Sequence, residues 1–302
     1  MELQGKEAQD KKATRRFFNM RINHNISSMI GTGALATQQA SLTKSLEKLS
    51  TGLRINRASD DAAGLSVSES LRSKIRGMDR AKSNAGDGIA LLQIAEGATG
   101  EINNILQRMR ELAIQSATDT MTTVERSFID KEFSQLMSEI TRISSSASYN
   151  GMTLLDGGPS SFGVSGGQAS VLHIGAGSSA SVDRISVTIT AITLGALGMN
   201  ASTAVSTSAS ALSSLSIIDN AIRSVNTMRS DMGAYVNRLE FAISNLGNQV
   251  YNTQDAESRI RDVDFAKETT EFTRSQILTQ SATSMLAQAN QVPQGVLNLL
   301  GR

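Results

Sequence analysis

An apolar seam in the C-terminal half constrains this 302-residue chain more than any other feature. Leu215, Ile218, Ile222, Val225, Met232, Val236, Leu239, Ile243, Leu246 and Val250 recur three or four residues apart, interrupted only by Arg229. That rhythm lines one face of an α-helix. At 1.5 Å per residue it predicts a helix of at least roughly 50 Å. No proline breaks it, since the chain has only Pro159 and Pro293. A helix this long covers its seam only against other helices, so the seam predicts a coiled-coil bundle.

Three further stretches read as helix. Leu35, Leu42, Leu46, Leu49 and Leu53 form a stripe in an N-terminal arm spanning 20–56. Leu92, Ala95, Thr99, Ile102, Leu106, Met109 and Ala113 lie on a helix beginning near Asn84. Ile129, Phe133, Leu136, Ile140, Ile143 and Ala147 lie on one from about Thr123 to Ser148. A C-terminal arm over 265–302 has its apolar residues diluted by Ser, Thr and Gln. Helices draw most of their stability from packing an apolar face, and the stripe on these arms is thin for a lone helix. The two arms are therefore expected to need partners, ordering only when docked.

The middle of the chain is different. From about Gly157 to Ser210, Gly, Ser, Thr and Ala crowd together. Leu172–Gly175 and Arg184–Ile192 alternate as strands do, with Ile185, Val187 and Ile189 on one face. The run from Gly175 to Ser181 reads as the turn between them. The predicted fold is mainly α: a long coiled-coil helical bundle with a small β-hairpin region mid-chain.

Composition excludes several functions. The net charge is +1 and aromatics are 4%, so no basic, aromatic-laced face for nucleic acid is expected. There are no cysteines, which removes disulfides, thiolate chemistry and Cys-based metal sites. No stretch reaches the ~18 apolar residues of a membrane span, and no membrane insertion is expected. The N-terminus has no apolar segment of the Sec type.

Motifs of catalysis lack their context. Gly163-Val164-Ser165-Gly166-Gly167 fits G-x-S-x-G, but in a Gly/Ser-rich loop rather than a strand–turn–helix. The only histidines are His24 and His173. Gly175 to Ala180 fits G-x-G-x-x-A, yet the next segment reads as strand, not helix. Asp60-Asp61 sits beside Arg54 and Arg57, and Asp262 and Asp264 beside Arg259 and Arg261; charge pairing is the expected role. Asn25-Ile26-Ser27 and Asn200-Ala201-Ser202 match N-x-S, a pattern common by chance. No enzyme activity, catalytic residue, metal or cofactor is expected.

Four segments, in order, resemble bacterial flagellin. They are Leu49–Ser68 (LSTGLRINRASDDAAGLSVS), Leu106–Ala117 (LQRMRELAIQSA), Tyr149-Asn150-Gly151 through Leu154-Leu155, and Glu257–Leu300, which opens ESRIRDVDFAKETTEF and ends MLAQANQVPQGVLNLL. The resemblance covers about 20–157 and 210–300, most of the chain.

What it implies is a structural subunit that polymerises into the flagellar filament for motility, external or periplasmic. Its alternative is a hook–filament junction protein. The implied segments are a leader at 1–19, an N-terminal D0 helix and spoke at 20–60, N-terminal D1 helices at 61–157, a hairpin and short variable region at 158–210, a C-terminal D1 helix at 211–260, and a C-terminal D0 helix at 261–302. Family members usually begin near the equivalent of Met20, so mature filaments are expected to lack the leader. The resemblance further implies type III export in the unfolded state and assembly by coupled folding of the terminal helices.

The partners implied are copies of itself, an export chaperone on the C-terminal arm, the filament cap and hook-associated proteins. Leu42, Leu46, Leu49, Leu53, Leu239, Ile243, Leu246 and Val250 are the expected seam and polymer-interface residues. By resemblance, Gln107, Arg108, Leu112 and Glu132 align with positions that contact Toll-like receptor 5. Val296, Leu297, Leu299 and Leu300 resemble a leucine signature sensed by cytosolic NAIP receptors, although Gly301-Arg302 departs from its common ending.

Overall fold

The computed structural model describes residues 24–158, 161–162, 170–200 and 203–300, with only the backbone course given for 292–300. Its elements in chain order are α1 (Ile26–Thr51), α2 (Ala62–Ala117), α3 (Thr123–Ser146), β1 (Ser148–Tyr149), β2 (Met152–Thr153), β3 (Ser170–His173), β4 (Arg184–Val187), α4 (Ser208–Arg261) and α5 (Phe265–Leu300). The chain divides into two compact units, one of residues 1–68 and 258–302, the other of 69–257.

The larger unit holds the main core. On α2, the whole predicted run Leu92, Ala95, Thr99, Ile102, Leu106, Met109 and Ala113 is fully buried. Phe133 and Ile140 of α3 are equally covered, as are Ile218, Val225 and Leu239 of α4. Thr99 satisfies its hydroxyl inside this core by donating to the Ala95 and Glu96 carbonyls. Along α4 the seam alternates buried and half-buried positions, Leu246 being buried and Ile243 and Val250 half-buried. The interruption at Arg229 is accommodated locally. Met228 takes the covered position, and Arg229 reaches Glu96 of α2 at 3.9 Å.

The α2 helix starts well before the expected Asn84. Asp61 accepts a hydrogen bond from the Gly64 amide at 2.8 Å and so caps it at Ala62. Residues 62–83 carry few core positions, Met78 and Ala81 among them, so no dense stripe marked them. Helix α3 begins on a capping box in which the Thr122 hydroxyl accepts from the Glu125 amide while Glu125 accepts from the Thr122 amide.

Two antiparallel hairpins complete this unit. In the first, Tyr149 pairs with Met152 around Asn150 and Gly151, both at positive φ. Leu154 and Leu155 then enter the core. In the second, β3 and β4 pair from Ser170↔Val187 to His173↔Arg184. Strand β3 lies two residues earlier than expected and β4 is shorter: among the described residues the ladder ends at Val187, though Ile189 and Ile192 remain buried and the Ile192 amide donates to the Leu155 carbonyl at 2.8 Å. The Gly175–Ser181 turn closes on Asp183, whose carboxylate accepts the Ser179 amide. A Cβ on Gly175 would come within 2.5 Å of the Asp183 Cβ, so only glycine fits there. The Gly/Ser-rich middle is not all surface. Leu197, Met199 and Val205 are buried, and a left-handed Gly198 makes the bend between the first two.

Candidate assembly surface on the terminal helices

In the smaller unit, α1 and α5 run antiparallel. Asn25 Nδ2 donates to the Ala289 carbonyl at one end, and Lys48 meets Glu268 at 3.3 Å near the other. The covered residues follow a three–four rhythm on each helix: Ser28, Gly31, Leu35, Gln38, Leu42, Ser45 and Leu49 on α1, and Glu268, Phe272, Ser275, Thr279, Ala282, Leu286 and Ala289 on α5. The spacing is that of a coiled coil, yet more than half of the positions are polar or small. Gly31 lets Leu286 approach: a Cβ there would sit 3.2 Å from its Cγ.

The expected stripe is corrected at two places. Leu46 faces outward, 54% exposed, because Ser45 occupies the covered position. Leu53 lies beyond α1, which ends at Thr51 with Gly52 in the left-handed region, and instead bridges to Asp262. Around that bridge the backbone pairs, with the Arg54 amide donating to the Arg261 carbonyl and the Val263 amide to the Gly52 carbonyl.

The ions also pair differently from the sequence expectation. Asp60 pairs with Lys44 at 2.8 Å rather than with an arginine, and it accepts the backbone amides of Asn56 and Arg57. Arg57 goes to Glu47 at 3.0 Å, and Arg54 donates to the Ile260 carbonyl. Asp262 accepts the Ser258 hydroxyl, and Asp264 caps α5 through the Ala266 and Lys267 amides. The hydrogen bond from Lys44, then that from the Arg57 amide, hold the Asp60 carboxyl down at about 2 against its partial burial. A carboxyl lowered in the folded state stabilises that state above its ordinary value of 3.8, and the stabilisation fades as pH falls toward about 2. The denaturation midpoint of this unit should therefore drop across that window in the parent chain. In Asp60→Asn the drop should be smaller; an equal drop would remove Asp60 as its source.

Several apolar side chains stand among polar ones on the outer faces of these helices. Ile26, Met29, Ile30 and Leu46 on α1 are 52%, 65%, 68% and 54% exposed. On α5, Phe265, Ile277, Leu278 and Met285 are exposed as well. Leu46 aside, these are residues that sequence reasoning missed. Their signal was apolar side chains lying off the main stripe on helices already poor in apolar residues.

The second expected surface, on the larger unit, is an ionic cluster. Arg108 reaches Glu132 on α3 and Glu111 on its own helix at 3.0 Å each, and these carboxylates, Glu132 first, push the guanidinium upward from its ordinary value. Gln107 is exposed beside it. Leu112 is not on this face: it is 2% exposed, part of the core, and reaches no outside partner while the unit is folded. Val296, Leu297, Leu299 and Leu300 lie on α5 beyond the described side chains. The leader at 1–19 and the Gly163–Gly167 run lie outside the described residues. His173 is in β3, and His24 precedes α1. Among the described residues, no acidic or histidine cluster could hold a metal, and no helix is long and apolar enough to cross a membrane.

Two family models match the chain. The bacterial flagellin N-terminal helical region matches residues 22–159, and the C-terminal helical region residues 215–300. The flagellar filament 33 kDa core protein of Treponema phagedenis is 44% identical over 93% of this chain and 100% of its own length. Flagellins of Halalkalibacterium halodurans and Bacillus subtilis are 45% and 42% identical, with the same coverage. A hook-associated protein structure from Vibrio parahaemolyticus superposes with a TM-score of 0.55 over 67% of this chain and all of its own; at 16% identity it shares the fold alone.

Proposed function

Because the chain belongs to the bacterial flagellin family, whose members are structural subunits of the flagellar filament, we propose that it polymerises by completing its terminal helices against copies of itself. The observation that carries this is the seam between α1 and α5. Its polar and small residues, Gln38, Ser45, Ser275 and Thr279 among them, cover little apolar area, while Ile26, Met29, Ile30, Ile277 and Met285 stay in water. Burial stabilises by about 25 cal/mol per Å² of apolar surface, so the apolar side chains left in water supply a driving force that a neighbouring copy can use. Leu42 and Leu49 hold the pair, and Leu46 joins the outward set. Interfaces of permanent assemblies commonly exceed ~2,000 Å², and a head-to-tail contact that does not close yields a fibre.

A weakly held pair also suits a chain that leaves the cell unfolded through the flagellar type III apparatus. In this proposal an export chaperone holds the C-terminal arm, the cap sets each subunit in place at the growing end, and hook-associated proteins are further partners. Gln107, Arg108 and Glu132 remain the proposed contact for Toll-like receptor 5.

The test uses two outward residues. Ile30→Asp combined with Met285→Asp leaves the covered seam intact, and exposed substitutions shift monomer stability by only about 0.5 kcal/mol each. Seeded with filament fragments, the double variant should keep its helix content but give no long filaments under the electron microscope. Brief trypsin digestion of the single parent subunit should trim both arms and spare the larger unit. Filaments of normal length from the double variant, or arms as resistant as the larger unit, would overturn the proposal.

A further inference from the structure

We propose that Asn150 is a self-modifying site, a deamidation point that the folded hairpin protects and the unfolded chain exposes. Asn150-Gly151 is the only Asn-Gly step in the sequence. The chemistry needs no enzyme. The Gly151 backbone nitrogen, having lost its proton to water, bonds to Asn150 Cγ. The side-chain nitrogen takes up a proton from water and leaves as ammonia, and a five-membered imide remains. Water then opens the imide at either carbonyl, giving aspartate or isoaspartate. Glycine favours this step because no side chain shields its nitrogen.

The fold opposes it. Asn150 is the only non-glycine residue at positive φ among the described residues, at 48°, and Gly151 follows at 79°. Positive φ at both central residues defines the two-residue turn that Asn-Gly forms best. Asn150 is exposed, so water reaches it, but its backbone is fixed by the Tyr149↔Met152 pair. That pair is anchored in turn. The Leu154 amide donates to the Ala147 carbonyl, the Phe162 amide and the Ser161 hydroxyl donate to the Thr153 carbonyl, and Leu154 and Leu155 are fully buried. The Ser144 hydroxyl and the Ile192 amide both close on the Leu155 carbonyl. For the imide to form, Cγ must swing over the Gly151 nitrogen and the turn must leave its left-handed geometry. That requires the hairpin to open, and the anchors withdraw the opening from local fluctuation.

The two products differ in consequence. Aspartate also tolerates the left-handed region, so conversion of Asn150 to ordinary aspartate keeps the turn. Isoaspartate routes the main chain through the side-chain carbon and adds a methylene to a two-residue loop, so β1 and β2 lose their register. Damage acquired while unfolded thus becomes a barrier to folding. This chemistry is independent of whether the chain polymerises.

The full-length chain is incubated in mildly alkaline buffer, folded and in urea, and its peptides are followed by mass spectrometry with isoaspartate-specific methylation. In urea, Asn150 should convert faster than any other asparagine. In the folded chain its conversion should be slower by on the order of tenfold or more, the factor set by the cost of opening. After dilution from urea, Asn150→Asp should refold as the parent does, while the isoaspartate fraction should remain unfolded. Equal rates in both states, no preference for Asn150 in urea, or normal refolding of the isoaspartate form would overturn the proposal.

Discussion

Leu239→Asp is expected to abolish the folded larger unit, and with it any filament. Leu239 is fully buried and meets Leu172 over Gly88, where a Cβ would lie 2.6 Å from one leucine and 3.5 Å from the other. Losing a buried leucine side chain costs ~2–5 kcal/mol. A carboxyl left there without a partner costs about 2–7 kcal/mol more, even after it takes up a proton to avoid charge. The sum rivals the ~5–15 kcal/mol that holds a whole domain together. Circular dichroism should show the loss directly. Ile243→Asp, one turn on and half-buried, should cost less because its carboxylate reaches water. A Leu239→Asp chain with parental melting behaviour would refute the core assignment.

The second large effect is Phe133→Ala, read against Phe128→Ala on the same helix. Phe133 is fully buried and among the bulkiest covered side chains, whereas Phe128 is 61% exposed with Lys131 above its ring at 5.7 Å. Truncating a core phenylalanine costs ~3–5 kcal/mol through lost transfer and the cavity left behind. The exposed ring forfeits about 0.5–1 kcal/mol of cation–π contact. Urea denaturation should separate the two midpoints widely. Comparable shifts would mean that α3 is turned differently about its axis.

Periodicity made the larger unit legible because its seams are dense. On α2 each residue of the predicted run from Leu92 to Ala113 is buried, and on α4 the run survives Arg229 because Met228 turns inward. Where density failed, so did the boundaries. The first part of α2, over 62–83, has scattered core residues and was invisible to the pattern, although Asp61 announces it as a cap. The terminal arms misled in a different way. Leucines at Leu42, Leu46 and Leu49 invite a stripe, but the covered line runs through Gln38 and Ser45, and leucine by itself does not tell which side of a thin helix meets its partner. Charge pairing was the least legible. Asp60 chose Lys44, near the end of α1, over the arginines closer in sequence, because the turn at Asn56 and Arg57 already fixed where its oxygens point. The burial of Leu112 shows the limit of carrying a role across by position: i and i+4 are neighbours, yet the helix edge runs between Arg108 and Leu112.

The main core draws on two distant stretches of chain, residues 85–155 and 185–239. Neither stretch can seal that interior by itself. A polypeptide delivered end first, from ribosome or narrow conduit, has to wait in a loose state until its later part arrives. Speed of emergence, more than intrinsic helix strength, then sets how long such a molecule spends unguarded.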